Sequence, residues 1–389
     1  MAPIEAAELR ERLAGLEPIG LRPGGTTRLA WTGELAAAEA WFGEQARAAG
    51  LIVERDPAGS LWAVPDGPGP WWATGSHLDS VRSGGRYDGA LGVAAGFAVA
   101  ERVPGVAVLA FADEEGARFN TPTFGSRALV GRLDVADALA RVDDDGVALA
   151  DGMRSAGADP SLVAEAPAWL GRLRGFIELH IDQTQELAQL SAPAGTVRSL
   201  AARMRLALTF VGRADHAGTT RRGERRDALA AAARVIVAAD ELAGGDPDFL
   251  VTTARMLVEP NAFTTVPARV RLWIDGRTPD GERLSEWHDW LSQRASELAE
   301  RTRVEIELST ASHSNGVEFD TDVRAALAGL PELVCFAGHD AGILAQRMPA
   351  GMVFVRNATG VSHSPDEHVD LDDAAIAAEA LRAALQRLA

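Results

Sequence analysis

The sequence predicts an α/β protein of two domains, the second inserted into the chain of the first. At 389 residues, the chain exceeds what one ordinary hydrophobic core supports. Residues 106–112 (VAVLAFA) form a continuous apolar run, which is typical of a strand in a sheet covered on both faces. Residues 204–308 differ, because their elements follow the order β-α-β-β-α-β. We therefore expect a mixed central sheet flanked by helices, and a smaller α+β domain.

The elements of the first part alternate between helix and strand. Residues 34–49 have the apolar spacing of a helix, which we expect to end before Gly50. A small-residue helix is predicted over 91–103. Strands are predicted within 51–64, where a turn separates two of them, and at 72–75, 106–112 and 176–179. Polar residues follow several of these strands, and sites in open α/β sheets lie at such strand ends.

The middle of the chain is predicted to form a ferredoxin-like sandwich. Its strands are expected at 204–211, 250–258, 268–274 and 303–308, and its helices at 227–243 and 279–301. A strand at 352–355 and a helix at 372–388 then return to the first domain. The predicted domains are accordingly 1–200 with 313–389, and the insertion 201–312.

Composition excludes several classes of function. The net charge of −17 disfavours binding to nucleic acid. All 38 basic residues are arginine, so lysine Schiff bases and P-loop lysines are excluded. The single cysteine, Cys335, allows neither an internal disulfide nor a thiolate zinc cluster. No apolar run approaches the ~20 residues of a membrane span, and no signal peptide is recognisable. These observations predict a cytoplasmic protein that binds neither nucleic acid nor membrane.

Candidate metal ligands occur in four short segments with nearby glycines. They are His77 and Asp88 in GSHLDSVRSGGRYDG, Glu115 in FADEEGARF, His180 in ELHID, and His363 in GVSHSPDEH. Each segment alone is more typical of a hydrogen-bonded loop histidine or an acidic helix start than of a metal ligand. Together they indicate a metal site, because one ion rarely needs five side chains, whereas two ions sharing a carboxylate do.

Two further carboxylates have predicted supporting roles. Asp79 lies two residues after His77, so in an extended segment both point the same way. Its carboxylate is expected to hydrogen-bond the far ring nitrogen of His77. Glu114 precedes Glu115 directly after a buried strand, where one glutamate can bind metal while its neighbour accepts a proton from water.

Long motifs along nearly the whole chain resemble a known family. They are GGTTRLAWT, DPAGSLWAV, TGSHLDSVRSGGRYDGALGV, FADEEGARF, FIELHIDQ, GRADHAGTT, RRDALAAAA, AGHDA and GVSHSPDEH. They are similar to the amidohydrolase branch of the M20 metallopeptidase family, the group of N-carbamoyl-L-amino-acid hydrolases and allantoate amidohydrolases. The resemblance implies a metallopeptidase-type catalytic domain with two divalent ions per subunit, zinc or otherwise manganese or cobalt.

The resemblance also implies a role for each residue. His77 and His180 would hold one ion, Glu115 and His363 the other, and Asp88 would bridge them. Glu114 would be the general base, and Asp79 would orient His77.

The resemblance further implies that the insertion forms a homodimer and closes as a lid. His216 would reach the substrate across the dimer and polarise its scissile carbonyl. Arg277 would pair with a substrate carboxylate, a planar anion that matches the guanidinium fork. Gln183 and the main chain at Gly360 would complete the substrate pocket.

Some pocket positions depart from the family pattern. Thr264 stands where the family has asparagine, and it is too short for a two-ended amide contact. Phe336 adds bulk where the family has glycine. Thr184 and Arg221 also replace the usual residues, a glycine and a proline. The hydrolytic residues are intact, so these differences concern the choice of substrate.

The sequence thus predicts a hydrolase that uses metal-activated water to cleave a linear, non-peptide C–N bond. The expected substrate is an N-carbamoyl (ureido) or N-acyl amino acid. Alternatives are an allantoate amidohydrolase, or an aminoacylase-like or dipeptidase-like M20 hydrolase. A non-catalytic metal-binding homologue is a further alternative, against which the intact Glu114 argues, because a binding protein needs no general base.

Overall fold

The chain divides into two compact units, described here from a computed structural model that covers residues 2–389. The first unit comprises the chain up to Arg198 together with Glu318–Leu333 and Gly338–Ala389. The second comprises Ser199–Val317 and Val334–Ala337. The last segment differs from the sequence-based division, which placed it in the first domain. Its main chain is held within the second unit, because Ala201 N donates to Cys335 O at 2.8 Å.

The elements are numbered along the chain. Helices are α1 (Ala6–Ala14), α2 (Gly33–Ala48), α3 (Ala90–Ala100), α4 (Phe124–Leu129), α5 (Val135–Ala140), α6 (Leu149–Ser155), α7 (Glu186–Gln189), α8 (Ala228–Ala243), α9 (Gly281–Thr302), α10 (Thr321–Ala326), α11 (Asp340–Leu344) and α12 (Leu371–Leu388), with 3-10 helices at Pro160–Arg172 and Arg222–Glu224. Strands are β1 (Leu21–Arg22), β2 (Gly25–Thr26), β3 (Ile52–Arg55), β4 (Leu61–Val64), β5 (Trp71–His77), β6 (Val106–Phe111), β7 (Leu173–Ile181), β8 (Ala194–Leu200), β9 (Ala202–Val211), β10 (Asp215–His216), β11 (Leu250–Glu259), β12 (Thr265–Val266), β13 (Arg269–Thr278), β14 (Glu305–Ser314), β15 (Val317–Glu318), β16 (Glu332–Cys335) and β17 (Ala350–Val355).

A mixed sheet forms the centre of the first unit. Its strand order is β15-β8-β17-β7-β5-β6-β4-β3, and β16 pairs with β8. The inner pairs β17–β7, β7–β5 and β5–β6 are parallel, whereas β8 and β4 run antiparallel to their inner neighbours. Helices α1, α3 and α12 contribute to the main hydrophobic core against this sheet. The predicted α/β fold class is confirmed.

Two glycines allow close main-chain packing around the parallel strands. Every residue of β5 is buried, and Gly75 has a φ of +136°. A Cβ at Gly75 would collide with the carbonyl oxygen of Leu109, and one at Gly92 with that of Leu179. Glycine at these positions therefore permits the close approach of main chain to main chain. His77 lies two residues beyond Gly75, at the carboxyl end of β5.

The second unit contains an antiparallel sheet with two helices on one face. The strand order is β11-β13-β9-β14, and the elements follow the sequence β9, α8, β11, β13, α9, β14, with the short β10 and β12 between them. Alternate residues of β9, from Ala202 to Phe210, are buried in a core that includes Trp287 of α9. Among residues 2–389, no helix combines the length and the apolar character needed to cross a bilayer.

Trp287 is the largest side chain in the core of the second unit. Its ring packs edge-on against Phe249 with centroids 5.9 Å apart, and it is only 2% exposed. We expect Trp287→Ala to lower the free energy of unfolding by about 3–5 kcal/mol, as measured by urea denaturation followed by circular dichroism. Trp287→Phe should cost less, because it keeps an aromatic ring and removes an indole N–H that has no partner in the described structure. Equal losses in the two variants would contradict this account of the packing.

Candidate metal centre

Two histidines at strand ends face one carboxylate oxygen. His77 ends β5, and His180 lies at the penultimate position of β7. Their Nε2 atoms lie 3.4 Å and 3.0 Å, respectively, from Oδ1 of Asp88. Asp88 precedes α3 in the loop that follows β5. All three side chains are buried, and their ligand atoms are close enough together to hold one metal ion.

The main chain fixes the tautomer of both imidazoles. Nδ1 of His77 lies 3.0 Å from the carbonyl oxygen of Asp79, and Nδ1 of His180 lies 3.0 Å from that of Ile181. A carbonyl oxygen can only accept, so each Nδ1 carries the proton and donates it. In the metal-bound state each ring would be neutral and would direct its Nε2 lone pair towards an ion beside Asp88.

A second group of ligands meets the other oxygen of Asp88. Nε2 of His363 lies 3.5 Å from Asp88 Oδ2 and 3.3 Å from Glu115 Oε2. Oε1 of Glu115 is buried without a hydrogen-bond partner among residues 2–389. Asp88 thus belongs to two groups that could each hold an ion, one with His77 and His180 and one with Glu115 and His363. A carboxylate shared in this way is the usual bridge of a two-metal site.

The charges around this site favour cations. Glu114 and Glu115 lie beside Asp79 and Asp88, and all four carboxylates have little or no exposure. Burial raises the pKa of Glu115 to about 8, and the neighbouring charge of Asp88 adds to the increase. Burial alone would lower the pKa of His180, but Asp88 raises it to about 9. The field that attracts a proton to His180 also attracts a metal ion, and the mixture of imidazole and carboxylate donors suits zinc, manganese or cobalt.

Glu114 is buried next to both groups but belongs to neither. Its Oε2 lies 3.9 Å from Nε2 of His77. Burial raises the pKa of Glu114 well above its usual range, with Asp340 and Glu115 adding to the shift and His77 opposing it. A carboxylate with a raised pKa beside a metal site can accept and then return a proton.

The contacts of Asp79 correct one sequence-based expectation. Its carboxylate was predicted to hydrogen-bond His77, but Oδ1 lies 3.6 Å from Nδ1, whereas the main-chain oxygen of Asp79 lies at 3.0 Å. The carboxylate instead accepts from the main-chain N–H groups of Glu114 at 3.2 Å and Glu115 at 3.1 Å. The reason is geometric, since the segment after β5 turns its carbonyl towards the imidazole. Asp79 therefore orients His77 through its main chain and the two glutamates through its side chain.

We expect Asp79→Asn to weaken metal binding or catalysis by about 10–100-fold, because groups that position metal ligands have effects of this size. Asparagine presents only one acceptor oxygen where two main-chain N–H groups now donate to two. Metal titration and steady-state kinetics would measure the change. Asp143→Asn is the matched control, because Asp143 also accepts from two main-chain N–H groups but lies in no ligand group. A similar loss in both variants would contradict a specific role for Asp79.

Comparison with known proteins identifies the family. A sequence model of peptidase family M20/M25/M40 matches residues 63–387, which is most of the chain. The chain belongs to this family. The resemblance inferred from the motifs is thereby confirmed.

Named relatives of this M20 chain are amidohydrolases. An N-carbamoyl-L-amino acid amidohydrolase of Geobacillus stearothermophilus is 35% identical, over 99% of each chain. An allantoate amidohydrolase of Bacillus subtilis is 32% identical, over 81% of this chain and 80% of the relative. A crystal structure of an amidase of the hydantoinase/carbamoylase family from Burkholderia multivorans superimposes with a TM-score of 0.86 at 30% identity, covering 99% of this chain and 98% of the other.

Two other predicted site residues lie close to the ligands of this M20 chain. Gln183 Nε2 is 3.2 Å from Ser362 Oγ and 3.5 Å from Asp88 Oδ2. Gly360 has a φ of +66°, and a Cβ there would lie 2.7 Å from a side-chain carbon of Gln185. The loop that carries His363 is therefore shaped by a glycine, in agreement with the glycine-bearing segments noted in the sequence.

The remaining predicted substrate residues lie in the second unit. Nδ1 of His216 accepts from the main-chain N–H groups of Gly218 at 3.1 Å and Thr219 at 3.2 Å. An imidazole that accepts at Nδ1 in this way has its N–H at Nε2, so Nε2 is the donor of this ring. Thr264 accepts through its carbonyl oxygen from the main-chain N–H of Ala217 at 2.9 Å.

Arg277 has two fixed contacts within the same unit. Its Nε donates to Asp275 Oδ1 at 2.7 Å, and one terminal nitrogen donates to the carbonyl oxygen of Phe336 at 2.6 Å. Phe336 therefore contributes a main-chain acceptor as well as its bulk.

Glu367 was not recognised from the sequence. Its Oε1 accepts from the main-chain N–H groups of Tyr87 and Asp88, both at 3.0 Å, and therefore holds the loop that carries Asp88. A Cβ at Gly85 would collide with the Glu367 carboxylate, which explains one glycine of the GGRYDG segment. The only sequence signal was the presence of Glu367 in the motif that contains His363.

A buried group beside His180 was also missed. His339 is 2% exposed, its ring centroid lies 4.3 Å from that of His180, and neither ring nitrogen has a hydrogen-bond partner in the described chain. Burial lowers the pKa of His339 well below its usual value, and the positive charge of His180 adds to this effect, so the ring is neutral. Glu178, His180 and His339 form a third group of potential ligands. His339 lies in the AGHDA motif, but nothing in the sequence indicated that its ring would be buried beside His180.

Proposed function

We propose that the chain is a metal-dependent amidohydrolase that cleaves a linear, non-peptide C–N bond of an N-carbamoyl or N-acyl amino acid. The observation that carries this proposal is the position of Glu114, a buried carboxylate with a raised pKa beside two ligand groups that share Asp88. Burying an acidic group costs free energy, and a protein that only binds metal has no use for a carboxylate that is not a ligand. The names of the relatives support the same class of reaction.

In the proposed site, His77 and His180 would hold one divalent ion, Glu115 and His363 would hold the other, and Asp88 would be shared between them. The buried unpartnered atoms His77 Nε2 and Glu115 Oε1 support this assignment. Zinc is the proposed metal, with manganese and cobalt as alternatives that the same donors accept. When bound, such a pair of ions lowers the pKa of water and polarises a carbonyl group.

The proposed chemistry assigns proton movement to the chain's own residues. Glu114 accepts a proton from the attacking water as the water oxygen bonds to the carbonyl carbon. His216, whose proton lies on Nε2, donates a hydrogen bond to the oxygen on which negative charge develops. As the C–N bond breaks, Glu114 delivers its proton to the leaving nitrogen. Asp79 holds the main chain of Glu114 throughout.

Substrate recognition is proposed to depend on a carboxylate. Asp275 and the carbonyl of Phe336 hold two nitrogens of Arg277, which leaves the rest of the guanidinium for a planar anion. Gln183, Gly360 and Thr264 are proposed to line the same pocket. Allantoate, a ureido compound with a carboxylate, is the second candidate substrate, favoured by the B. subtilis relative.

A substrate panel tests the proposal. The metal-loaded protein would be incubated with N-carbamoyl-L-amino acids, allantoate, N-acetyl amino acids and dipeptides, while ammonia and free amine are measured separately. Release of both products from N-carbamoyl amino acids is the expected result. Release of free amine without ammonia would indicate that the enzyme acts on acyl or peptide substrates instead. No turnover of any compound, with two ions verified by elemental analysis, would refute the enzymatic proposal.

The assembly and location of the protein are part of the same proposal. We propose a homodimer formed through the second unit, which would also close over the substrate as a lid, and a cytoplasmic location. The acidic composition, with a net charge of −17, supports a small-molecule ligand rather than nucleic acid. Light scattering of the purified protein tests the dimer, and a monomeric mass would contradict it.

A further inference from the structure

Three arginines surround one carboxylate on the face of the second unit's sheet that points away from its helices. Residues 202, 204 and 206 of β9 are buried in the core, so the intervening Arg203 and Arg205 point to the opposite face. In the register between β9 and β13, Arg203 pairs with Arg277 and Arg205 pairs with Asp275. Side chains paired across adjacent strands are direct neighbours. The four charged groups therefore form one cluster.

Asp275, the single carboxylate of the cluster, already accepts hydrogen bonds on both of its oxygens. Oδ1 of Asp275 accepts from Arg277 Nε at 2.7 Å, and Oδ2 accepts from Arg205 Nε at 3.2 Å and from a terminal nitrogen of Arg205 at 2.9 Å. The buried Nε of Arg203 has no hydrogen-bond partner within residues 2–389. Guanidinium groups stay protonated in proteins, so the cluster holds three positive charges and one negative charge. Two positive charges remain uncompensated in a protein that is strongly acidic as a whole.

Arg203 occupies an unfavourable position for a positive charge without a partner. Burial lowers its pKa, and Arg277 and Arg205 lower it further, while Asp275 acts in the opposite direction. Like charges on neighbouring strands are destabilising. A binding anion would remove this cost.

A cavity of about 300 Å³ lies beside the cluster, with Arg205, Asp275 and Arg277 at its wall. Leu250 and Phe336 add an apolar part to the same wall. Among the described residues, Arg203 does not line this cavity but is the direct cross-strand neighbour of Arg277, which does. The cavity is thus suited to a small organic anion, since carbon atoms can pack against the apolar part while a carboxylate reaches Arg277.

We propose that Arg203 and Arg277 bind the two carboxylates of one dicarboxylate, so that the preferred substrates are N-carbamoyl or N-acyl derivatives of acidic amino acids. The assignment of these preferred substrates rests on the proposed function. A dianion matches the two excess charges, whereas a monocarboxylate on Arg277 would leave Arg203 without a partner. Arg277 takes the α-carboxylate, and Arg203 selects the acidic side chain.

Calorimetry of the metal-loaded protein tests the subsite without turnover. Glutarate is expected to bind at least about tenfold more tightly than butyrate, because a second charge-assisted pair forms. Arg203→Gln should abolish this preference, and Arg203→Lys should restore part of it. Arg269→Gln, on the same face at the far end of β13, is the matched control and should leave the preference unchanged. Glutarate binding no tighter than butyrate, or a preference that survives Arg203→Gln, would overturn the proposal.

Kinetics test whether the dicarboxylate is the substrate itself. Arg203→Gln is expected to lower kcat/KM for N-carbamoyl-L-glutamate by about 10–100-fold, and to leave that for N-carbamoyl-L-norvaline within about twofold. Equal effects on both substrates, with glutarate still bound through Arg203, would overturn the substrate part and indicate a separate dicarboxylate ligand. Glutarate binding through Arg203 without hydrolysis of any carbamoyl or acyl compound would leave the anion site standing and reject the proposed function.

Discussion

Replacing Glu114 by glutamine is expected to lower kcat by about 10²–10⁴-fold while both metal ions stay bound. Glutamine has nearly the same size and polarity but cannot accept a proton from water. The side chain lies outside both ligand groups that share Asp88, and its Oε2 is 3.9 Å from the nearest imidazole nitrogen, that of His77. Steady-state kinetics combined with elemental analysis would measure activity and metal content on the same sample.

Glu115→Gln is the matched control for this experiment. The two glutamates are adjacent, but Glu115 belongs to the group with His363, so its substitution should reduce metal content as well as activity. The pair of variants separates proton transfer from metal binding at neighbouring positions. Turnover of Glu114→Gln within about tenfold of the original chain would show that another group acts as the base.

Replacing Asp88 by asparagine is expected to remove both ions. Oδ1 of Asp88 faces His77 and His180, and Oδ2 faces His363, so one neutral amide would replace the charged donor of both groups. The ratio of metal to chain should fall from about two to well below one after gel filtration in metal-free buffer. Activity should fall with it.

The metal-free folded state should be less stable in this variant. The substitution removes the buried carboxylate whose charge interacts favourably with His77 and His180, so urea denaturation should show a lower free energy of unfolding than for the metal-free original chain. His363→Ala is the control, because His363 belongs to one group only and its loss should leave about one ion bound. Retention of two ions by Asp88→Asn would contradict the shared carboxylate.

Much of the site could be predicted because its ligands lie in segments with strong local signals. His77 and His180 lie at the ends of buried strands, and β5 and β7 are neighbouring parallel strands, so residues 103 positions apart in the chain meet at one edge of the sheet. Asp88 follows β5 in a glycine-bearing loop. Parallel topology alone brings these three together.

The contacts that could not be predicted depend on tertiary structure or on the main chain. Asp79 shares a motif with His77, yet its carboxylate bonds the main chain of residues 114 and 115, which nothing in the motif indicates. Glu367 reaches the loop of Asp88 across 279 positions of sequence. His339 has no partner within its motif that would indicate burial beside His180.

Strand β8 also escaped the sequence analysis. Its sequence, AGTVRSL, lacks the alternation or the continuous apolar run that indicates a strand. It is nevertheless mostly buried, because it pairs with β17 on one side of the central sheet. Tertiary pairing here prevails over weak local preference.

The orientation of the two buried imidazoles comes from carbonyl oxygens of the main chain, which no side-chain substitution removes. Substitutions in the pocket, such as threonine at 264 or phenylalanine at 336, can therefore accumulate while the Nε2 atoms of both imidazoles keep their orientation. A lineage built on this scaffold is free to exchange one ureido or acyl compound for another without rebuilding its hydrolytic apparatus.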